Sequence, residues 1–299
     1  MYIDIKQFLE EINNDCFPSN GVRQRRIREK AFFSLRFHPD NQKLLHTKIA
    51  QKMEKLPGLE GDCSTSINTT CQNVVRAIAT QYDSEMRADG VDVDCLLRGE
   101  RGRGGAWEKV YTWLHNYKYP RWRSHWIWQV LKDKAQPNNR DWLSFHKEDP
   151  RRGLKVPVPI SRYNNQIEIN KPLVMQIDIQ HSDGYLLLLN HGRDKCGSQT
   201  KYLVCPSQAF APRLEPIANL RYLPQSGAMC KEIEFDAEGT EEYIGVVVNQ
   251  IPEQLDWLKP SEREPAPIWN EARIYKLWQE LEKQSDYQVF YQSFELVAA

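Results

Sequence analysis

Between positions 98 and 128 the chain sets Arg98, Arg101, Arg103, Arg121 and Arg123 beside Trp107, Trp113, Trp122, Trp126 and Trp128. Guanidinium groups pair with phosphates and carboxylates, and exposed indoles stack on bases or anchor protein partners. Spacing sorts the rings. Trp107, Val110, Tyr111, Leu114 and Tyr117 recur at helical intervals on one side, and Trp122, Trp126 and Val130 repeat the pattern beyond Pro120, with Ile127 and Leu131 beside them. This predicts two amphipathic helices joined at YKYPR, with most of the rings in a core. Trp113 and Trp128 fall off the stripes, so they join Arg98, Arg101, Arg103, Arg121 and Arg123 as candidate binding residues. The composition suits packing alone, a surface for another protein, or a surface for nucleic acid.

Other chemistries have weaker support. Gly99, Gly102, Gly104 and Gly105 are not closed by the Gly-Lys-Ser/Thr of a phosphate loop. The seven histidines show no HExxH or comparable ligand spacing, so neither a metal nor a cofactor is expected. His181 with Asp183, or His191 with Asp194 and Cys196, are near enough along the chain to suggest a base and a nucleophile. A reactive thiol also needs an orienting third group and a stabilised thiolate, which spacing alone does not supply. No catalytic residue is assigned, and an enzyme with a Cys/His site ranks below the binding readings.

The elements that must position these residues change character midway. Segments such as IDIKQFLEEINN, RQRRIREKAFFSLRF, KLLHTKIAQKMEKL and CQNVVRAIATQYDSEM carry helical apolar periodicity, with a break at His38-Pro39-Asp40, Asp40 or Asn41 as the next cap, and Thr70 as a cap before Val74, Ile78 and Tyr82. From Lys155 the chain turns to short apolar runs, GYLLLLN, TKYLVCP, KEIEF and EEYIGVVVNQ, divided by SDG, HGRDKCG, PQSG and DAEG. Leu186 to Leu189 are apolar at every position, which predicts a strand covered on both faces. Without helices between the strands, the sheet should be antiparallel. WNEARIYKLWQELEKQ predicts a helix with Ile274, Leu277, Trp278 and Leu281 in one stripe, and DYQVFYQSFELV a last strand.

The expected fold is α+β: a helical domain over 1–150, a linker over 151–164, and an antiparallel β-sandwich-like domain with a C-terminal helix over 165–299. The net charge of zero conceals an asymmetry, with 27 Lys/Arg against 20 Asp/Glu in residues 1–155 and 13 against 20 thereafter. The start MYIDIKQFLEEINNDC has no signal-peptide pattern, no apolar run approaches the ~20 residues of a membrane span, and seven scattered cysteines form no CxxC pair. A cytoplasmic chain with reduced thiols and no membrane partner is expected.

Asp183-Gly184-Tyr185, Tyr202 to Pro206, Glu238-Gly239-Thr240-Glu241, Val246 to Val248 and Pro252 together resemble the DUF4384 family, a domain of unknown function in bacterial multidomain proteins, cyanobacterial ones among them. The likeness spans roughly residues 165–258 and departs at Cys205 and Ser207, where members more often show Phe and Asn. It implies an accessory module attached to other domains, and implies no hydrolase. The function expected is therefore that of a non-catalytic adaptor or regulatory protein that binds another protein, with nucleic-acid binding through residues 98–128 as the alternative.

Overall fold

The computed structural model describes residues 5–18, 24–59, 61, 63–99, 105–135, 142–147, 165–179, 183–284 and 286–298. The fold is α+β: helices come first, followed by two sheets with a helix near the C-terminal end. By internal contacts the chain divides into Met1–Arg123 and Ser124–Ala299. The sequence reading places the change at 148–160 instead. The difference is that the later turns of one helix and a short strand, Leu143–His146, pack with the sheets. The expected linker, 151–164, lies outside the described residues.

The first unit contains α1 (Ile5–Cys16), α2 (Gln24–Arg36), α3 (His46–Met53), α4 (Ile67–Gln81), α5 (Asp83–Ala88), α6 (Val93–Arg98) and α7 (Ala106–Trp113). Their apolar stripes meet in one core that includes Phe8, Phe32, Phe33, Val74, Ile78 and Val110. The expected stripe of α4 is present, but Thr70 lies inside the helix and does not cap it. Its hydroxyl donates back to the Ser66 carbonyl at 3.0 Å, as threonine does within helices. The break at Pro39 is a 3-10 turn, Pro39–Asn41, and neither Asp40 nor Asn41 caps α3, whose N-cap position is Leu45. Asn41 is buried, donates to the Leu35 carbonyl and accepts from Lys52 Nζ.

The chain does not break at Pro120. α7 continues through a π-turn, Leu114–Lys118, into α8 (Tyr119–Lys134). The Tyr119 N–H reaches back five residues to the Leu114 carbonyl, and Pro120, which has no N–H to donate, follows immediately. The π-turn thus lies directly before the proline, and the helix runs on through it. One extra residue in the turn shifts everything beyond it by about 100° around the axis, relative to a count of 3.6 residues per turn.

The second unit is built on a five-stranded sheet in the order β2-β8-β7-β4-β5: Gln166–Glu168, Gln288–Val297, Gly239–Val248, Tyr185–Asp194 and Gln199–Cys205. Its pairings are antiparallel except β2 with β8, which is parallel and departs from the all-antiparallel expectation. A smaller sheet, β1-β3-β6, pairs Leu143–His146, Val174–Ile177 and Tyr222–Leu223. The two sheets share one apolar core, with Phe145, Met175 and Leu223 against Leu186, Leu188, Tyr243 and Phe290.

Along β4, Leu186, Leu188, Asn190 and Gly192 alternate with Leu187, Leu189 and His191, and the first set faces this core. Leu186 to Leu189 are all buried, so both faces are covered as their composition predicts. The second face meets residues of α8 and α9 (Glu271–Leu281). Trp128 stacks on Trp269 beside His191, and Trp126 meets Trp278 edge to face. The stripe of α9, Ile274, Leu277, Trp278 and Leu281, is buried. Gly184 turns into β4 with φ +119°, and a Cβ there would lie 2.5 Å from the Val248 carbonyl oxygen.

Candidate functional site

Of the residues singled out by spacing, both tryptophans are buried. Trp113 is 1% exposed, tilts against Tyr82 and donates its indole N–H to Asp89 Oδ2 at 2.8 Å. Arg121 clamps the same carboxylate through two nitrogens at 2.6 and 2.8 Å. This guanidinium and the hydrogen-bonded indole hold Asp89 below the usual carboxylate range against the opposing effect of burial. Arg123 is half-buried, with its guanidinium carbon 5.3 Å from the centre of the Tyr119 ring. Arg98 is exposed at the end of α6, and Arg101 and Arg103 lie outside the described residues.

Trp128, expected off its stripe, is 4% exposed. Its ring lies 5.1 Å from Trp269 in a near-parallel stack, and its N–H donates to Glu242 Oε2 at 3.1 Å. Both off-stripe tryptophans are thus buried, while Trp107, Trp122 and Trp126 on the stripes are only half-buried and Tyr117 is exposed. The apolar arc of these helices is wider than a single stripe, and the π-turn offsets its second half.

Of the Cys/His candidates, His191, Asp194 and Cys196 lie among the described residues, and His191 and Asp194 make their hydrogen bonds to other residues. His191 contacts Trp128 and Trp269, and its Nε2 lies 3.4 Å from Gln199 Oε1, while Asp194 accepts from the Ser198 backbone N–H. Burial holds the His191 imidazole below its ordinary pKa. Cys196 is exposed, His181 is outside the described residues, and none of the seven cysteines forms a disulfide. Burial pushes the thiols of Cys16, Cys71 and Cys205 up to about 12, the direction opposite to a reactive thiolate. Among the described residues no group of three or more His, Cys, Asp or Glu is placed to hold a metal.

A different site stands out at one end of the sandwich. Two cross-strand rows run side by side on the core face, Thr200-Gly192-Glu241-Phe294 and Tyr202-Asn190-Tyr243-Gln292. Gly192 leaves a gap in the first row. A Cβ there would fall 2.3 Å from both Glu241 Oε1 and Thr200 Oγ1, so the missing side chain makes room for the carboxylate. The pocket that Gly192 and Glu241 line holds about 340 Å³, near the lower end of small-molecule sites. Met175, Val204, Phe210, Ile233 and Phe235 contribute apolar walls, and the exposed Arg193, Ser198, Thr200, Glu234 and Asp236 also line it.

Glu241 is 8% exposed and Asn190 5%. The Asn190 amide donates to Glu241 Oε2, and among the described residues no lysine or arginine pairs with this carboxylate. Burial pushes the Glu241 carboxyl up to about 7, with the Asn190 hydrogen bond pulling only partly the other way. A buried titratable group at the base of an apolar-walled pocket has the physical character of a recognition or proton-transfer site.

Sequence reasoning passed over Glu241 as a functional residue. The available signal was alternation: in GTEEYIGVVV, Glu241 shares a face with Tyr243, Gly245 and Val247, which makes it an acid in an apolar row. No described helix is long and apolar enough to cross a membrane. The chain matches no protein-family model, no curated protein and no solved structure.

Proposed function

We propose that this chain works by binding, as a non-catalytic adaptor or regulatory protein, with the Glu241 pocket as its recognition element. The observation that carries this reading is a buried carboxyl group in an apolar-walled pocket, hydrogen-bonded to Asn190 and, among the described residues, unaccompanied by a cation. Burying such a group costs stability, and a bound group that satisfies it would recover that cost. The accessory role implied by the resemblance to DUF4384 points the same way. The basic aromatic segment supports a nucleic-acid surface less well, because the Arg121 guanidinium is engaged by Asp89 and both off-stripe tryptophans are buried.

Small organic probes of cationic, neutral and anionic character, followed by amide chemical shifts in the intact chain, test this reading. The expected result is that at least one class perturbs Asn190, Gly192, Glu241 and Phe235 together and is recovered unchanged. Turnover of a probe would overturn the non-catalytic reading. Submicromolar retention of nucleic acid at physiological salt, abolished by changing Arg98 and Arg121 to glutamine, would replace it.

A further inference from the structure

Resting on the pocket reading above, we infer that the Glu241 pocket takes an organic cation: a guanidinium or primary ammonium carried on a short apolar stem. The charges around the cavity set the sign. Among the described residues lining the cavity, Asp194 on β4, Glu234 and Asp236 on the preceding loop, and Glu241 on β7 are acidic, and Arg193 is the one basic residue. An anionic ligand would meet this surplus of carboxylates, including the buried Glu241, and be repelled by it.

The rest of the cavity suits the stem. Val204, Phe210 and Phe235 offer apolar surface for methylene groups, and Tyr202 adds an aromatic ring. Asn190 already donates to one oxygen of Glu241, so a cationic donor would complete the hydrogen bonding of the carboxylate. The neighbouring residue shows how this sheet treats a carboxylate with a purely structural role. Glu242, on the opposite face, has Lys132 Nζ 2.5 Å away and Tyr291 Oη 2.6 Å away. Glu241 has no such cation from the described chain, and it is the one that faces a cavity.

The groups that titrate or carry charge around Glu241 are Arg193 and Asp194 on β4, Tyr202 on β5, Tyr243 on its own strand, and Glu234 and Asp236 on the loop. A carboxyl with a pKa of about 7 is mostly neutral at pH 6 and mostly ionised at pH 8. A cation that needs the ionised form therefore binds about tenfold more weakly at pH 6 than at pH 8, and takes up the site with proton release below neutrality.

The test is a shape-matched pair, n-butylguanidinium and the uncharged n-butylurea, titrated into the full chain at pH 6 and pH 8 and followed by amide shifts at the pocket. The cation should bind several-fold more tightly than the urea at pH 8, lose about tenfold at pH 6, and fall to the level of the urea in Glu241→Gln. The wild-type pH dependence stands independently if that variant folds poorly. A short peptide with one central arginine, flanked by glycines, separates the two sources of this chemistry. Binding at least as tight as that of n-butylguanidinium identifies a side chain of a protein partner, and selective binding of the free cation identifies a small molecule. Equal binding of urea and guanidinium at both pH values would overturn the inference and leave the pocket reading standing. No pocket shift with either probe would overturn both.

Discussion

Glu241 and Glu242 are consecutive residues of one strand, yet they meet opposite environments. Glu242 is turned toward α8, where Lys132, Tyr291 and Trp128 all donate to it. Its partial burial would raise the carboxyl, but these hydrogen bonds and the Lys132 charge bring it below the ordinary range. Glu241 is turned toward the cavity, where burial acts against only the Asn190 amide, and its carboxyl rises to about 7. The alternation of faces along the strand separates a structural ion pair from an acid held by an amide without a cation among the described residues, so what a carboxylate does here depends on which face it occupies.

The largest expected effect breaks the helix-covered face. Trp128→Ala removes a buried ring stacked on Trp269 and a donor to Glu242, and should cost about 3–5 kcal/mol in denaturant unfolding. The pocket residues should keep their chemical shifts if the variant still folds, since they lie on the other face. A shift of Glu241 as large as that of Glu242 would show that the two faces are coupled.

Next comes Glu241→Gln, whose sign is opposite. The folded carboxyl lies above its unfolded value, so the native state binds the extra proton and wild-type stability falls as pH rises from about 4.5 to about 7. Glutamine removes that titration. The variant should gain up to about 3 kcal/mol over the wild type at pH 8 and almost nothing at pH 4. A stability difference independent of pH would mean that Glu241 is not the group that titrates.

Lys132→Met tests the partner residue and should cost about 1–3 kcal/mol near neutral pH, because it leaves a part-buried carboxylate short of its cation. Glu242 is depressed in the fold, so its stabilising contribution is present above its unfolded pKa and is lost as pH falls through the lower folded value. The penalty of Lys132→Met should therefore shrink in acid. Its pH profile should run opposite to that of the Glu241 titration.

The smallest effect belongs to a pair at the surface of the first unit. Arg121→Gln breaks a contact whose arginine is 48% exposed and whose aspartate is 7% exposed. Screening by water limits the loss to about 1 kcal/mol or less, measured by thermal unfolding. A larger loss would show that Asp89 relies on Arg121 to hold its bond to Trp113, making this site resemble Glu242 more than an ordinary surface pair.

Several features were legible in the chain alone because they depend on local periodicity. The α+β order, the doubly covered run Leu186 to Leu189, the stripe of α9 and the last strand all follow from spacings of 3.6 or 2 residues. The sequence also determined that Glu241 and Tyr243 would share one face and Glu242 and Ile244 the other. Tertiary structure alone decided what each face would meet. The room that the Glu241 carboxylate occupies comes from Gly192, directly opposite on β4, while the cavity walls include residues of β3, β5 and the 233–237 loop. The cation at Glu242 comes from Lys132, 110 residues earlier. Trp113 and Trp128 were misplaced for a related reason: Trp113 meets Asp89 and Tyr82, and Trp128, beyond a π-turn that shifts the helical phase, meets Trp269. Periodicity records which side of an element a residue occupies, whereas burial, pairing and proton affinity are set by groups brought close from distant parts of the chain.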